Sequence, residues 1–533
     1  MRVLRPVLII CALAIFGGIC GYLLSKQLKR DRVEANVQAS ADSDQTDNYS
    51  ESVGTVYFPT IEEPEALKVE YPRNSIKGEL VMHFSSRADY AAYLKALASA
   101  GLSPLGQIDE LMVVRVKTGA ALAINTGEFE LTPGFSYEVT RPLPPIELSP
   151  EAMASLKGFS QSAREIVGDL VDGDGEGVLV AILDSGIQEH AQFDDVYIVH
   201  IDLVGYGVDG AGAAHGTSVA SIIAGSEGIA PKSELLVVRV LDNEGIGNSY
   251  HVAEGIVQAT VLGAQIINMS IAVYQDSAVL RQAISYAHDK GVLLVAAAGN
   301  DGYTRMPFPA DYKNVISVTA IDASGRQALF PNQSKSIDIA APGVAILTAK
   351  EDQGTTLFTG TSAAAPFVSG TLAALISVEH SLAPKQVVDL VKSYLNDAGS
   401  PGEDSAYGDG IIDWDRLRER NTPGILDLSI ADIHLDPSAL PGTTMPIEIT
   451  VQNRGTMWST ESDLDVIIGE ADPVTFTVGS LGPGLTTTRK VYTAVPTGSS
   501  EDRLNITARI LPEDLNADVR LENNFKGAYY QAK

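Results

Sequence analysis

Three short stretches of this 533-residue chain carry side chains that could do chemistry together. Asp184-Ser185-Gly186 follows directly on the apolar run Val178 to Leu183, so its carboxylate stands at the carboxyl end of a strand. His215-Gly216-Thr217-Ser218-Val219-Ala220 opens a helical run with an imidazole at its N-terminus. Gly360-Thr361-Ser362-Ala363-Ala364-Ala365-Pro366 starts another helix and sets a hydroxyl at its N-terminal end. These are the types that acyl transfer needs. A serine hydroxyl is a weak nucleophile until a neighbouring imidazole takes its proton. A carboxylate on the other ring nitrogen then fixes the tautomer and stabilises the imidazolium. The helix N-terminus at Ser362 offers N–H groups and a positive dipole end to a developing oxyanion. Asn300, just past the run Val292 to Ala298 and Gly299, is the natural side-chain amide to complete that hole. Singly, each residue has an ordinary reading: a strand-end turn for Asp184, a helix-cap histidine for His215, an N-cap for Ser362. Their order and company argue for chemistry.

Such residues need a rigid frame. Val178 to Leu183, Leu235 to Leu241, Ile266 to Met269, Val292 to Ala298 and Val315 to Ala320 are short, mostly apolar runs. Helical patterns around Tyr250 to Leu262 and Ser277 to Lys290 separate them. Continuous apolar runs mean strands buried on both faces, so the expected fold class is α/β, a parallel sheet flanked by helices. In such sheets functional residues gather at the carboxyl ends of strands.

With these contexts the order Asp, His, Ser resembles the subtilisin-like serine peptidases, the subtilases. Gly228-Ile-Ala-Pro231, Ile267-Asn-Met-Ser270, Ala297-Ala-Gly-Asn300, Phe308-Pro-Ala310 and Ala341-Pro-Gly343 agree with the same family, in order. The resemblance implies a serine endopeptidase with Asp184, His215 and Ser362 as its triad and Asn300 as the oxyanion amide. It also implies that Ser270, Ile271, Ala272, Ala298 and Gly299 meet the substrate backbone. Departures bear on specificity: Ile271-Ala272 stands where the family usually has Leu-Gly, and Ala363, Phe367 and Ser218 replace frequent Met, His and His. No cofactor and no metal site is expected. Structural calcium is known in the family, but no site can be named here. Asp172-Gly-Asp-Gly-Glu-Gly177 has acids at calcium-loop spacing, yet Leu183 stands where a bidentate Glu is required, so it reads as a charged turn.

The remaining chain divides by composition. Residues 1–30 hold Arg2, Arg5 and an apolar run from Pro6 to Leu24, roughly 28 Å as a helix, and read as a signal anchor or a signal peptide. Lys26, Lys29, Arg30 and Arg32 on its far side leave orientation open under the positive-inside rule. Residues 31–70 are acidic and polar, a flexible spacer. Residues 71–146 show a strand (Glu79 to Phe84), a helix (Ala88 to Ala100) and a second strand (Leu111 to Val116), a small β-α-β unit closed by the linker Arg141-Pro-Leu-Pro-Pro-Ile146. It resembles the inhibitory prodomains of secreted subtilases, which implies self-cleavage between roughly Ala120 and Lys157. The catalytic domain takes 150–420. Residues 424–533 alternate, with Ile447, Ile449 and Val451 facing one way and Glu448, Thr450 and Gln452 the other, as in an antiparallel β-sandwich. Asp427-Leu-Ser-Ile430, Val451-Gln-Asn-Arg-Gly455, Leu481-Gly-Pro-Gly484 and Glu522-Asn-Asn524 resemble the cell-adhesion-related immunoglobulin-like (CARDB-type) domains.

Expected partners are therefore protein or peptide substrates, a membrane through the N-terminal segment and a surface partner for the sandwich. The expected location is an anchored, exported catalytic domain or a secreted one. A latent surface adhesion or scaffold protein built on the same fold is the alternative. A net charge of −29 supplies no basic excess for a nucleic-acid backbone, so no nucleic acid is expected. Both cysteines, Cys11 and Cys20, lie in the apolar run, so nothing beyond it can rest on disulfides.

Overall fold

A computed structural model describes residues 69–142, 167–168, 172–205, 210–350, 353–436, 439–497, 503–512 and 518–531. The apolar run and nearly all of the acidic spacer lie outside the described residues, as do linker residues 143–146.

Strand β1 (Glu79–Phe84) is largely buried on both faces, and that governs how the N-terminal region packs. Leu80, Met82 and Phe84 meet Tyr90, Tyr93 and Leu97 of helix α1 (Arg87–Ser99). Val81, one residue out of phase, points the other way and joins Ile108, Leu111 and Val113 in a core shared with later helices. Ser86 starts α1, its hydroxyl accepting the Asp89 N–H at 3.1 Å. Strands β2 (Gly106–Ile108), β3 (Val113–Lys117) and β4 (Leu131–Gly134), with helix α2 (Thr118–Ala123) before β4, complete an antiparallel sheet in the order β2-β3-β1-β4. The expected β-α-β unit is thus a four-stranded sheet. Strands β2 and β4 have too few residues for alternation to reveal them. Strand β5 (Glu138–Thr140) leaves this sheet and pairs elsewhere.

The central sheet is built from β6 (Leu179–Asp184), β7 (Ile198–Asp202), β8 (Glu234–Arg239), β10 (Ile266–Met269), β11 (Leu293–Ala297), β12 (Ile316–Ile321) and β13 (Ile339–Pro342). Between β8 and β10 the short strand β9 (Ile246–Asn248) pairs with β5. The sheet order is β13-β12-β11-β10-β6-β8-β7, every neighbouring pair parallel. All five expected apolar runs fall in it. Val180 and Ile182 enter the core on one face, with helices α3 (Ala214–Ala224) and α6 (Thr361–Val378). Ala181 and Leu183 enter the other, with α4 (Ser249–Val261) and α5 (Ala278–Asp289). Burying an Ile or Leu side chain contributes about 1.5–3 kcal/mol, so a strand used on both faces cannot shift register cheaply. Helix α6 has the length and apolarity of a membrane span, but 83% of that window is buried inside the protein, so it is a core helix. A hairpin, β14 (Ile346–Lys350) and β15 (Gly354–Phe358), leads into it.

The strands of the C-terminal region pair antiparallel. Strands β16 (Leu428–Leu435), β17 (Thr444–Asn453) and β20 (Thr486–Ala494) form one sheet. Strands β18 (Ser462–Ile468), β19 (Val474–Val478), β21 (Arg503–Pro512) and β22 (Phe525–Gln531) form the other. Ile447, Ile449 and Val451 fill the core between them, as the alternation predicts. The opposite face is not all solvent. Gln452 is buried, its Oε1 accepting the Asp397 N–H at 3.1 Å and its Nε2 donating to the Leu395 carbonyl at 3.2 Å. The Arg416 guanidinium, also buried, donates to Asn396 Oδ1 and the Arg454 carbonyl, and Arg520 bridges Glu419 and Asp427 at 2.8 Å each. The sandwich is docked through a polar, buried seam.

Burial at this seam pushes the Asp397 carboxyl up to about 6, with Asp404 and Asp432 adding repulsion and the Gly402 N–H opposing it. The folded state therefore holds this proton more tightly than the unfolded chain does. Its contribution is complete below the ordinary carboxylate range and is lost as pH rises through about 6. The melting temperature of the Ser362→Ala protein (chosen to exclude self-digestion) is expected to fall between pH 5 and pH 7.5. Asp397→Asn should flatten that slope and raise the pH 7.5 value, by differential scanning calorimetry.

Candidate active site

Asp184 is the last residue of β6 and has no exposed surface. A bare carboxylate there would be costly, so its partners matter. The Ser185 N–H donates to Oδ1 at 2.7 Å, and His215 Nδ1 lies 2.9 Å from both carboxylate oxygens. His215 is in the first turn of α3 and is 8% exposed. The Phe358 ring meets the imidazole edge-on at 5.2 Å, which limits its rotation. At Gly216 a Cβ would lie 2.2 Å from the Gly186 carbonyl and 3.2 Å from Asp184 Oδ1, so only glycine lets α3 approach the strand end this closely.

Ser362 occupies the first turn of α6, 2% exposed, and its Oγ makes no hydrogen bond within the protein. A hydroxyl of this kind pairs with its base most tightly when substrate closes the site. Its backbone carbonyl is held by Ser270 Oγ at 3.3 Å. Ser270 accepts from Asn268 Nδ2 at 3.3 Å, and Asn268 Oδ1 accepts Ser369 Oγ at 2.8 Å, so a buried chain of polar groups ties α6 to β10. Asn300 follows β11, and its Oδ1 accepts both the Thr361 N–H and the Thr361 hydroxyl at 2.9 Å. Those two bonds cap α6 and hold the amide against the helix start, with Nδ2 2.9 Å from where a Gly360 Cβ would lie. Asp184 and His215 thus form one bonded pair at the end of β6, and Asn300 is bonded to Thr361, the neighbour of Ser362, at the start of α6.

The five residues expected to meet a substrate backbone divide. Ser270, Ala298 and Gly299 are buried, with Ser270 Oγ, the Ala298 carbonyl and the Gly299 N–H bonded internally. Ile271 is buried beside them. Ala272 exchanges two backbone hydrogen bonds with Thr140, at 2.8 and 3.0 Å. On its other side the same segment pairs with β9, and the Arg141 N–H donates to the Gly245 carbonyl at 3.1 Å. Residues Tyr137 to Arg141 therefore lie as an extended strand between two edges, with Val139 fully buried. The antiparallel register carries Pro142, also buried, to the position opposite Ser270, the residue that holds the Ser362 carbonyl. Arg141 and Pro142, where the linker is expected to open, follow β5 directly. Sequence reasoning missed the strand because three residues of β5 give no periodicity. Thr361, Asn268 and Ser369 were missed too, although two sit within stretches that carry the resemblance.

At the turn Asp172-Gly-Asp-Gly-Glu-Gly177, the Asp174 carboxylate pairs with Lys232 Nζ at 2.7 Å. Among the described residues there is no group of three or more His, Cys, Asp or Glu that could hold a metal ion.

Comparison with known proteins gives the same picture. A model of the subtilase family (Peptidase_S8) matches residues 175–410, and a CARDB model matches residues 425–528. Over 252 residues the chain is 35% identical to a thermostable alkaline protease of Halalkalibacterium halodurans, covering 45% of this chain and 66% of that protein, just under two thirds of its length. It is 34% identical to subtilisin DY of Bacillus licheniformis, over 45% of this chain and 89% of the relative. Thermitase of Thermoactinomyces vulgaris is 36% identical over 38% of this chain and 76% of its own length.

Proposed function

This chain belongs to the subtilase family, and we propose that it is a serine endopeptidase that hydrolyses peptide bonds through an acyl-enzyme on Ser362. The observation that carries the reading is the buried Asp184–His215 pair, 2.9 Å apart at the end of β6, with Ser362 in the first turn of helix α6. In this reading His215 Nε2 takes the Ser362 proton as Oγ attacks the substrate carbonyl. Asp184 keeps the Nδ1–H tautomer and offsets the imidazolium charge. The Ser362 N–H and the Asn300 amide receive the oxyanion. His215 then gives its proton to the leaving amine, and water, deprotonated the same way, releases the acyl group.

Fluorophosphonate should label wild-type protein at Ser362 and leave Ser362→Ala unlabelled. Asn300→Leu should label slowly and lose on the order of 10²–10³ in kcat on a peptide substrate with KM little changed, a magnitude that comes from subtilisin itself. Mature wild-type protein that never labels would refute the enzyme.

The proposed site of action is outside the cytoplasm. The apolar run Pro6 to Leu24 supports export, with the chain either tethered by that run or released. The sandwich would serve a surface partner. Protease added to intact cells should digest the catalytic region, and protection of that region would contradict export.

Residues Tyr137 to Arg141 support an inhibitory role for the N-terminal domain, since Thr140 pairs with Ala272, which a substrate backbone is expected to meet. Activation by self-cleavage is the leading form of this proposal. A second form is lasting latency, favoured by Pro142, which has no N–H to pair and a fixed φ. Intact masses separate the two. Self-cleavage predicts a wild-type protein shorter than Ser362→Ala, with the cut between roughly Ala120 and Lys157. Equal masses, together with fluorophosphonate labelling that appears only in Val139→Asp, would establish latency instead.

A further inference from the structure

We propose that Asn332 is the positioning residue for the Asn300 amide. The proposal rests on the serine-peptidase reading and adds a residue outside every motif used so far. Asn332 is fully buried, and each of its side-chain hydrogen-bonding positions is used on the loop that carries Asn300. Its Oδ1 accepts the Asp301 N–H at 3.1 Å and the Tyr303 N–H at 2.9 Å. Its Nδ2 donates to the Ala298 carbonyl at 3.1 Å and to Asp301 Oδ2 at 3.4 Å. Its own backbone N–H donates to the Gly299 carbonyl at 3.0 Å. The residues before and after Asn300 are therefore tied to one planar amide.

The fit is mutual. Gly299 has φ +93°, and a Cβ there would lie 2.4 Å from Asn332 Nδ2, so the loop backbone and the amide interlock. Two acceptor sites and two donor hydrogens in one plane are what only Asn and Gln offer, and the longer Gln would not fit this spacing. Asp would keep the bonds to the Asp301 and Tyr303 N–H groups. It would also set a carboxylate against the Ala298 carbonyl and the Asp301 carboxylate. Asp301 in turn accepts the Tyr274 hydroxyl, so the clamp continues into the segment after Ala272 that pairs with Thr140. Asn300 Oδ1 is held by Thr361 from the α6 side, and Asn332 holds its backbone from the other. An oxyanion donor displaced by a fraction of an ångström stabilises the transition state less while ground-state binding is unaffected, so the loss belongs in kcat.

The test is a double-mutant cycle on protein expressed from the full chain and allowed to mature, with active sites counted by fluorophosphonate stoichiometry so that misfolded or unprocessed molecules do not enter kcat. Asn332→Ser should lower kcat by roughly 10–100-fold with KM within about twofold, and Asn332→Asp should do the same. In an Asn300→Leu background, where no amide is left to position, either substitution should change kcat by less than about twofold. An unchanged kcat in the single variants, or an equal loss in both backgrounds, would overturn the proposal. Failure of wild-type protein to label would count against the peptidase reading. Hydrogen exchange then still decides the clamp: the Asp301 and Tyr303 amides should be protected in wild type and lose protection in Asn332→Ser, and equal protection would overturn it.

Discussion

The burial of helix α6 is the constraint on which the catalytic region depends. Every residue from Thr361 to Leu375 is buried, so the helix is enclosed by the sheet on one side and by α3 and the Trp414 region on the other. That enclosure dictates its composition. Ala363, Ala364, Ala365 and Gly370 bring backbones close together, and a Cβ at Gly370 would lie 2.8 Å from Ile229 Cβ. It also dictates where polar groups go, because a buried helix end must find partners for its free N–H groups. At Thr361 the partner is Asn300 Oδ1, so one hydrogen bond both caps the helix and orients the amide. Further along, Thr371 accepts the Trp414 indole N–H at 2.8 Å and Ser369 reaches Asn268.

The same economy holds across the site. Asp184, His215, Ser362, Ser270 and Asn268 are all nearly dry, and each sits in or beside a chain of bonds that starts in the core. A low-dielectric site strengthens such bonds and penalises any that is left unmade. Among these five residues the Ser362 hydroxyl is the exception, a buried group with no hydrogen-bond partner within the protein.

A second constraint is that sheets apolar on both faces need two covers. The N-terminal sheet has α1 on one face and uses α4 and α5 of the catalytic region for the other, through Val81, Leu111 and Val113. Its docking in turn delivers β5 to the edges at β9 and Ala272. Around the interface Arg115 pairs with Glu79, lies over the Tyr250 ring and meets His251, while Gln282 donates to the Leu111 carbonyl. At the other end Gln452 of the sandwich is buried against the catalytic region, where Arg416 and Asp397 line the same seam. What reads as three modules along the chain is packed through buried seams.

Much of this was legible in the residues alone. Apolar runs identified five strands of the central sheet because parallel strands covered on both faces are continuous hydrophobes. The alternation Ile447, Ile449, Val451 identified the sandwich because its two sheets share one core. Asp184, His215, Ser362 and Asn300 were singled out for their types at expected element ends, and the structure places Asp184 at the end of β6, His215 and Ser362 in first helical turns and Asn300 just past β11. Other features had no local signal. The pairing of Thr140 with Ala272, the clamp of Asn332 on the Asn300 loop and the burial of Gln452 join residues far apart in the chain, and a three-residue strand has no period. Local sequence determined which elements form and which side chains stand at their ends. Only the packing of two-faced sheets and a buried helix decided which distant polar groups had to satisfy one another.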